Sequence, residues 1–343
     1  MLNWSPSIKG RGVLSRESRE WHDFAVATTP SPWAIARPML SAQPTRVVMV
    51  ESLDQDHLDA LAAQLRGSKR VVGIGGGFAM DGAKHVASRT GATLIQVPTT
   101  SSNNAGFTRR WRCVRNGRRT ESEEGAVPEH VLVDMDLILR APNRMNRAGL
   151  GEVLCSHSAL FDWELAHRAG RVVDWDARLA HRTRRQLQRL EELAPALGEN
   201  DPAALESLLQ IFEELAPDFL AFPRARFNGA SEHLFAWCLE QRTGRRLQHG
   251  EAVCLGVLLM AHMQENAPDW AARIVQAGRV RFRPTEIGTD WHEVEDAVLA
   301  LPDYEREVIP YYTVLDELAG RADTRPGYLK ERFDRARAFV ETL

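Results

Sequence analysis

The sequence is poor in cysteine, in net charge and in long apolar stretches, and each of these absences excludes a class of protein. Its four cysteines have no C-x-x-C spacing, so they do not form the framework of a small disulfide-bonded domain. No apolar run reaches the roughly 18 residues of a membrane helix, and the first residues, MLNWSPSIKGRG, lack the apolar centre of a signal peptide. A net charge of −3, from 43 basic and 46 acidic residues, gives no sign of a nucleic-acid partner. We therefore expect a cytoplasmic enzyme without a nucleic-acid or membrane partner.

Lysine is scarce as well, since only four of the 43 basic residues are lysines. We interpret this scarcity as a coding bias without functional meaning. It nevertheless makes Lys84 more notable, because this lysine follows a triple glycine that is discussed below.

The length of 343 residues, with 44% hydrophobic and 26% charged residues, is typical of two globular domains. In the first third, short apolar runs alternate with stretches of helical periodicity. Strands are predicted at residues 24–27, 46–50, 70–74, 93–97 and 131–133, and helices at 33–40, 54–65 and 79–88. This alternation favours a parallel sheet that is covered by helices on both faces.

From about residue 148 the strand-like runs stop. Residues 178–197 and 202–220 instead carry helical periodicity with many Arg and Glu residues. We predict an α/β domain over residues 1–145 and an all-α domain over residues 146–343.

A triple glycine, Gly75, Gly76 and Gly77, stands between a predicted buried strand and a predicted helix. Without Cβ atoms the backbone can approach a pyrophosphate closely, and the helix N-terminus supplies free N–H donors. The order strand, glycine turn, helix therefore fits dinucleotide binding. The spacing is not G-x-G-x-x-G, however, and an ordinary tight turn after a strand is the alternative interpretation.

A polar loop follows the next predicted strand, with the sequence VPTTSSNN over residues 97–104. Its hydroxyls and amides are expected beside the glycine turn, at the carboxyl ends of the strands, where open α/β sheets bind ligands. A Ser- and Asn-rich surface turn is the alternative.

Three residues in the helical half could form a metal site. Glu152, His233 and His249 offer one carboxylate and two imidazoles, which leaves open coordination positions as in catalytic zinc or ferrous iron sites. Their separation along the chain carries no information by itself. With 11 histidines in the chain, a structural role for either imidazole is the alternative.

These motifs together resemble the iron-containing alcohol dehydrogenases. The sequence GGGFAMDGAK over residues 75–84 is similar to their GGG-x-x-x-D-x-A-K signature, and VPT with Ser102 is similar to their nucleotide loop. The segments VDMD at 133–136 and AGLGE at 148–152 resemble the stretch that leads to the first metal ligand, and SEH at 231–233 and HGE at 249–251 resemble the two histidine motifs. The resemblance is greatest to the glycerol dehydrogenase and glycerol-1-phosphate dehydrogenase branch, and it runs from about residue 20 to the end.

The resemblance implies a dehydroquinate-synthase-like fold, in which a Rossmann-like dinucleotide-binding domain precedes an all-α domain and a cleft holds metal and substrate. It implies NAD or NADP as cofactor, with one divalent metal ion, zinc or iron. Relatives form dimers and larger rings, so a homo-oligomer is possible. The residues that match cofactor contacts are Gly75, Gly76, Gly77, Asp81, Thr99, Ser102 and Thr108. Those that match metal ligands are Glu152, His233 and His249, and Asn104 takes the place of a substrate-contacting aspartate.

Several positions depart from the family pattern. The family usually has aspartate as its first metal ligand. This sequence has Glu152 there, and the dehydroquinate synthase branch also has glutamate at this position. Asn104 can recognise a hydroxyl but cannot act as a carboxylate base. Trp237 stands where a second histidine usually contacts substrate, and Ser156 stands where long-chain members add a fourth ligand. The first strand ends without the usual acidic residue for the adenosine ribose, which leaves NADP open beside NAD.

The leading hypothesis is a metal-dependent NAD(P)-linked oxidoreductase that transfers a hydride between nicotinamide and a polyol or polyol phosphate, with a divergent substrate. Asn104, Glu152, His233 and His249 are its candidate catalytic residues. Arg109, Arg110 and Arg112 either meet a substrate phosphate or form a solvated loop.

The alternative is a sugar-phosphate cyclase of the dehydroquinate synthase type, which uses NAD transiently and eliminates phosphate. Glu152 favours it, whereas the missing GGKTG segment and the scarcity of lysine oppose it. A non-catalytic nucleotide-binding protein is a third possibility, although the three metal-competent side chains argue against it.

Overall fold

The computed structural model describes residues 5–115, 118–122, 125–222, 224–322 and 327–343. The chain divides into two compact units. The first comprises Met1–Asn146 together with Leu205–Pro223, and the second comprises Arg147–Ala204 together with Arg224–Leu343. The division after Asn146 lies next to the predicted boundary. The grouping of Leu205–Pro223 with the first unit differs from the predicted helical domain of residues 146–343.

The first unit is built on a parallel sheet of six strands in the order β1-β8-β5-β4-β2-β3, and a separate antiparallel hairpin is formed by β6 and β7. The strands are β1 Ile8–Gly10, β2 Phe24–Thr28, β3 Arg46–Met49, β4 Arg70–Gly75, β5 Thr93–Pro98, β6 Trp111–Arg115, β7 Arg118–Ser122 and β8 His130–Asp134. Its helices are α1 Val13–Ser18, α2 Pro30–Ala36, α3 Gln55–Gln64, α4 Gly77–Thr90 and α5 Met135–Ile138. The five strands predicted from the sequence are confirmed, and β1, β6 and β7 were not predicted.

Helices cover both faces of this sheet because its strands are apolar on both sides. Along β2, Ala25 and Ala27 pack into one cluster with residues of α3 and α4, whereas Phe24 and Val26 pack into a second cluster with residues of α1 and α2. All five residues of β2 are buried. The prediction of a parallel sheet covered on both faces is therefore confirmed.

The remaining helices are α6 Asn143–Ala148, α7 Gly151–Leu154, α8 Ser156–Arg168, α9 Ala177–Gly198, α10 Pro202–Ala221, α11 Ser231–Thr243, α12 His249–Met263, α13 Pro268–Ala277, α14 Pro284–Ile287, α15 Trp291–Val308, α16 Val314–Ala322 and α17 Tyr328–Glu341. The described part of the second unit contains no strand. At its centre α12 is almost entirely buried.

Helix α10 begins in the second unit, but its residues from Leu205 onward belong to the first. Within the first unit Phe212 lies 6.1 Å from Phe107, measured between ring centroids, and Glu213 pairs with Lys9. Over the residues that the structure describes, no helix combines the length and the apolar character needed to span a bilayer.

Candidate active site

The glycine turn lies where the strand order of the sheet reverses. From β2 the chain moves outward to β3, and it then returns to the other side of β2 with β4 and continues to β5. The loops after β2 and β4 therefore leave toward opposite faces, and a crevice forms outside the carboxyl ends of these strands. Gly75, Gly76 and Gly77 occupy this place, and they lie between a strand and a helix as the sequence predicts.

The three glycines of the turn contribute to it in different ways. Gly75 has a φ of +151°, and a Cβ built on it would lie 2.7 Å from the Cβ of Ala79. A Cβ on Gly76 would meet no atom within 4 Å, so the space beside this residue is open. Gly77 begins α4, whose first N–H groups have no partner inside the helix. The turn thus has the open space and the donors that an anion requires.

The predicted polar loop lies directly beside this turn. The amide of Thr99 donates a hydrogen bond to the Gly75 carbonyl at 3.0 Å, and the hydroxyls of Ser102 and Thr100 are 2.8 Å apart. The Thr108 hydroxyl accepts from the amide of Arg110 at 3.1 Å. The cofactor contacts of Thr99, Ser102 and Thr108 stay predictions, since their described bonds are to the protein itself.

Asn104 lies at the start of a short 3₁₀ turn, where its carbonyl accepts from the Phe107 amide at 2.8 Å. Its side chain is half-buried. Its neighbour Asn103 is nearer to the glycine turn, because the Nδ2 atom of Asn103 is 2.9 Å from the position of a Cβ on Gly77. The substrate contact predicted for Asn104 stays a prediction.

Asp81 has both carboxylate oxygens engaged by the protein. It is 2% exposed, and its Oδ1 atom accepts from the Nζ atom of Lys84 at 2.9 Å. Its Oδ2 atom accepts from both the backbone amide and the Nε atom of Arg112, at 3.3 Å in each case. The cofactor contact predicted for Asp81 stays a prediction, but its described partners are two cationic side chains.

Glu152, His233 and His249 come together in the second unit, from α7, α11 and α12. Each offers a ligand atom within 4.8 Å of the other two. The Nε2 atom of His249 is 3.2 Å from the Oε1 atom of Glu152, and the two imidazole rings are 5.1 Å apart. Glu152 and His233 are buried and His249 is half-buried. One carboxylate and two imidazoles in this arrangement fit one divalent cation with open positions.

Two glycines allow this approach. A Cβ on Gly151 would lie 2.4 Å from the Gly250 carbonyl oxygen, and a Cβ on Gly250 would lie 1.9 Å from the Ala148 carbonyl oxygen. Any side chain at these positions would therefore separate α7 from α12. Glu152 and His249, which directly follow and precede these glycines, could then no longer reach a common ion.

Glu232 orients His233. One of its carboxylate oxygens lies 2.8 Å from the Nδ1 atom of His233 and also accepts from the Ala230 amide at 2.9 Å. Its other oxygen accepts from the Ser158 hydroxyl at 2.9 Å. A carboxylate on Nδ1 holds the proton there and leaves Nε2 for a metal. This role of Glu232 cannot be predicted from the sequence, because nothing in the spacing of two adjacent residues indicates it.

Cys155 also lies near Glu232 and His233, and these three residues form a second group of candidate ligand atoms within 4.8 Å. The Cys155 thiol, however, donates to the carbonyls of Glu152 and Asn228 at 3.2 and 3.1 Å. Burial raises the pKa of this thiol well above its usual value, with the nearby carboxylates adding to the effect. Since only the thiolate is a good ligand, we assign Cys155 a structural role.

The two positions that depart from the family pattern around the candidate ligands are both buried. Ser156 accepts a hydrogen bond from the Asn228 side chain at 3.0 Å. The ring of Trp237 stands edge-on to that of His233, at 5.7 Å between centroids. An indole therefore packs against the metal-competent histidine, and it offers no group that titrates near neutral pH.

A glycine turn with open space at the end of a parallel strand and a candidate metal triad are two features that a metal-dependent dehydrogenase needs. Comparison with known proteins gives the family. The model of the iron-containing alcohol dehydrogenase family matches residues 35–142. The glycerol-1-phosphate dehydrogenase [NAD(P)+] of Aeropyrum pernix is 30% identical over 278 residues, which are 79% of this chain and 75% of that protein. The corresponding enzyme of Methanothermobacter thermautotrophicus is 28% identical, over 77% of this chain and 72% of that protein.

Solved structures agree in fold. A probable glycerol dehydrogenase from Sinorhizobium meliloti superposes with a TM-score of 0.73 at 17% identity, over 97% of this chain and 95% of that one. Glycerol dehydrogenase from Schizosaccharomyces pombe gives 0.70 at 18% identity, over 98% of this chain and 90% of that one. The chain belongs to the iron-containing alcohol dehydrogenase family. Its predicted fold class and its resemblance to the glycerol and glycerol-1-phosphate dehydrogenase branch are confirmed, and an NAD(P)-linked oxidoreductase is confirmed at the level of the family.

Proposed function

We propose that this protein is an NAD(P)-linked, metal-dependent dehydrogenase whose substrate is a polyol phosphate of the glycerol-1-phosphate class. The observation that carries the proposal is the triad of Glu152, His233 and His249 in a chain whose relatives are glycerol-1-phosphate dehydrogenases. When bound, a zinc or ferrous ion would polarise the substrate oxygen, and the nicotinamide would exchange a hydride with the adjacent carbon.

The residues of the chain itself supply binding and orientation. Glu152 contributes the negative charge that a divalent cation needs, and Glu232 fixes the His233 ring with Nε2 available. The N–H groups at the start of α4 supply the donors for the cofactor phosphates.

The groups that usually move the proton differ in this chain. Asn104 can donate to or accept from a substrate hydroxyl, but its amide does not titrate, and Trp237 adds no base. We therefore propose that the substrate differs in detail from glycerol 1-phosphate, since the hydroxyl proton must leave by another route.

The experiment follows two products in the same wells. Protein reconstituted with zinc or with iron is mixed with a panel of polyols, triose phosphates and sugar phosphates, with NAD(H) and NADP(H). Nicotinamide absorbance and inorganic phosphate are recorded together. Net nicotinamide oxidation or reduction without phosphate release is the expected result. Phosphate release that requires NAD, without net redox change, would favour the cyclase instead.

Two histidine variants, one in the proposed metal site and one outside it, test the assignment of the metal ligands. His249→Ala should abolish turnover and metal retention, measured by elemental analysis after gel filtration. His181→Ala, on an exposed face of α9, should change neither. A His249→Ala protein that keeps both its metal and its activity would refute the assignment of the triad.

A further inference from the structure

Arg112, on the hairpin strand β6, lies against the first turn of α4. Its Nη2 atom is 2.9 Å from the position that a Cβ on Gly77 would take, and the Asn103 Nδ2 atom is at the same distance. The side chain of Arg112 remains 20% exposed. A guanidinium group and an amide group therefore flank the glycine turn, next to the open space beside Gly76.

A buried carboxylate holds this arginine in place. Asp81 accepts from both the backbone amide and the Nε atom of Arg112. Its other oxygen binds the fully buried Lys84, whose Nζ atom also donates to the Arg110 carbonyl at 2.6 Å. Asp81 and Lys84 thus bind the backbone on both sides of Trp111, which fixes the start of the hairpin against α4.

The groups that converge on the turn are donors. They are the first N–H groups of α4, the Arg112 guanidinium and the Nδ2 group of Asn103. The Oδ1 atom of Asn103 accepts from the Ala105 amide at 3.0 Å, and its Nδ2 group, which has two N–H bonds, uses one of them to donate to the Ser102 hydroxyl at 3.2 Å. A guanidinium forms strong, charge-assisted hydrogen bonds with phosphate oxygens, and the helix N-terminus favours the same negative charge.

We infer that Arg112 binds the pyrophosphate of the dinucleotide cofactor and that Asp81, with Lys84, positions it there. This inference rests on the proposed function, because it takes the ligand to be a nicotinamide dinucleotide. The inference also gives Asp81, the aspartate of the glycine motif, an indirect role in cofactor binding. Asp81 positions an arginine that comes from a different part of the chain, and the arginine contacts the cofactor.

The test measures dissociation constants by calorimetry on the full-length protein for NADH, NADPH, ADP and adenosine. Arg112→Gln should weaken the binding of ADP and of both dinucleotides by about 10- to 100-fold, which is the effect of losing one charge-assisted hydrogen-bonding group. The dissociation constant of adenosine should not change. The matched control is Arg115→Gln, on the same strand and exposed, which should leave all four constants unchanged.

The outcomes separate the inference from the function on which it rests. If Arg112→Gln leaves the affinity for ADP unchanged while the unaltered protein binds NADH, the inference is wrong and the proposed function stands. A loss confined to NADPH would overturn the pyrophosphate assignment in favour of the adenosine 2′-phosphate. If the unaltered protein binds neither dinucleotide, the proposed function fails and the inference fails with it.

The positioning role of Asp81 has its own test. Asp81→Asn should weaken the binding of ADP in the wild-type background. It should weaken that binding little further in the Arg112→Gln background, because the two changes act through one contact. Equal effects in both backgrounds would show that Asp81 acts independently of Arg112. The unfolding midpoint of each variant, measured in parallel, identifies any loss that comes from unfolding.

Discussion

Glu305 should make the protein less stable as the pH rises through neutrality. This residue of α15 is 1% exposed, and one of its carboxylate oxygens has no hydrogen-bond partner among the described residues. Its other oxygen accepts from the Thr313 hydroxyl at 3.2 Å. Burial raises the pKa of Glu305 to about 9, and the nearby carboxyls of Asp316 and Asp162 add to the rise, against smaller opposing effects of the Thr313 hydrogen bond and of Arg226.

The direction follows from proton binding. A glutamate in the unfolded chain titrates near its ordinary value of 4.5, whereas folded Glu305 keeps its proton to about 9. Between these values the folded state binds more protons than the unfolded state, so the free energy of unfolding falls as the pH rises. One extra proton bound by the folded state lowers the free energy of unfolding by about 1.4 kcal/mol for each unit that the pH rises. The decrease amounts to about 4 kcal/mol between about pH 5.5 and about pH 8.5.

Glu305→Gln isolates this effect, because the amide has the same shape but does not ionise. We expect the variant and the wild type to be similarly stable near pH 5.5, and the variant to be more stable by up to about 4 kcal/mol near pH 8.5. Denaturant unfolding across this pH range, followed by tryptophan fluorescence, measures the difference. Glu307→Gln, an exposed position on the same helix, should follow the wild type throughout. Parallel pH profiles of wild type and Glu305→Gln would refute the reasoning.

Two further predictions concern the candidate metal site. Gly250→Ala places a methyl group against the Ala148 carbonyl, so it should lower the unfolding free energy by about 1–3 kcal/mol and weaken metal retention; unchanged values of both in chemical unfolding and metal analysis would contradict the close approach. Glu232→Gln keeps an acceptor for His233 but removes the charge, and it should weaken zinc binding about 10-fold in a chelator competition. An unchanged zinc affinity would mean that the carboxylate does not tune the ligand.

Much of the fold could be predicted because the central strands are short apolar runs bounded by turn residues. The missed strands lack that signal for physical reasons. Ile8–Gly10 is only three residues long, and Trp111–Arg115 pairs with Arg118–Ser122 in a hairpin outside the main sheet, whose sequence carries several charged residues in place of an apolar run. The grouping of Leu205–Pro223 with the first unit was equally out of reach, since helical periodicity does not say which core a helix joins.

Only part of the candidate site could likewise be predicted from the sequence. The candidate ligands Glu152, His233 and His249 are far apart in the sequence, so only the family resemblance could join them. Asp81 and Lys84 are three residues apart on a helix, and their pairing follows from helix geometry. The third member, Arg112, comes from a hairpin that the sequence did not reveal, and its contact with Asp81 depends on the fold as a whole.

The return of α10 to the first unit makes that unit discontinuous in sequence, and this governs how the protein can be cut. A fragment that ends at Asn146 would lack Phe212, which packs near Phe107, and Glu213, which pairs with Lys9. Neither unit can therefore be released intact by a single cleavage of the chain. Separate expression of the two units would need a circular permutant or a linker that carries Leu205–Pro223 along with the sheet.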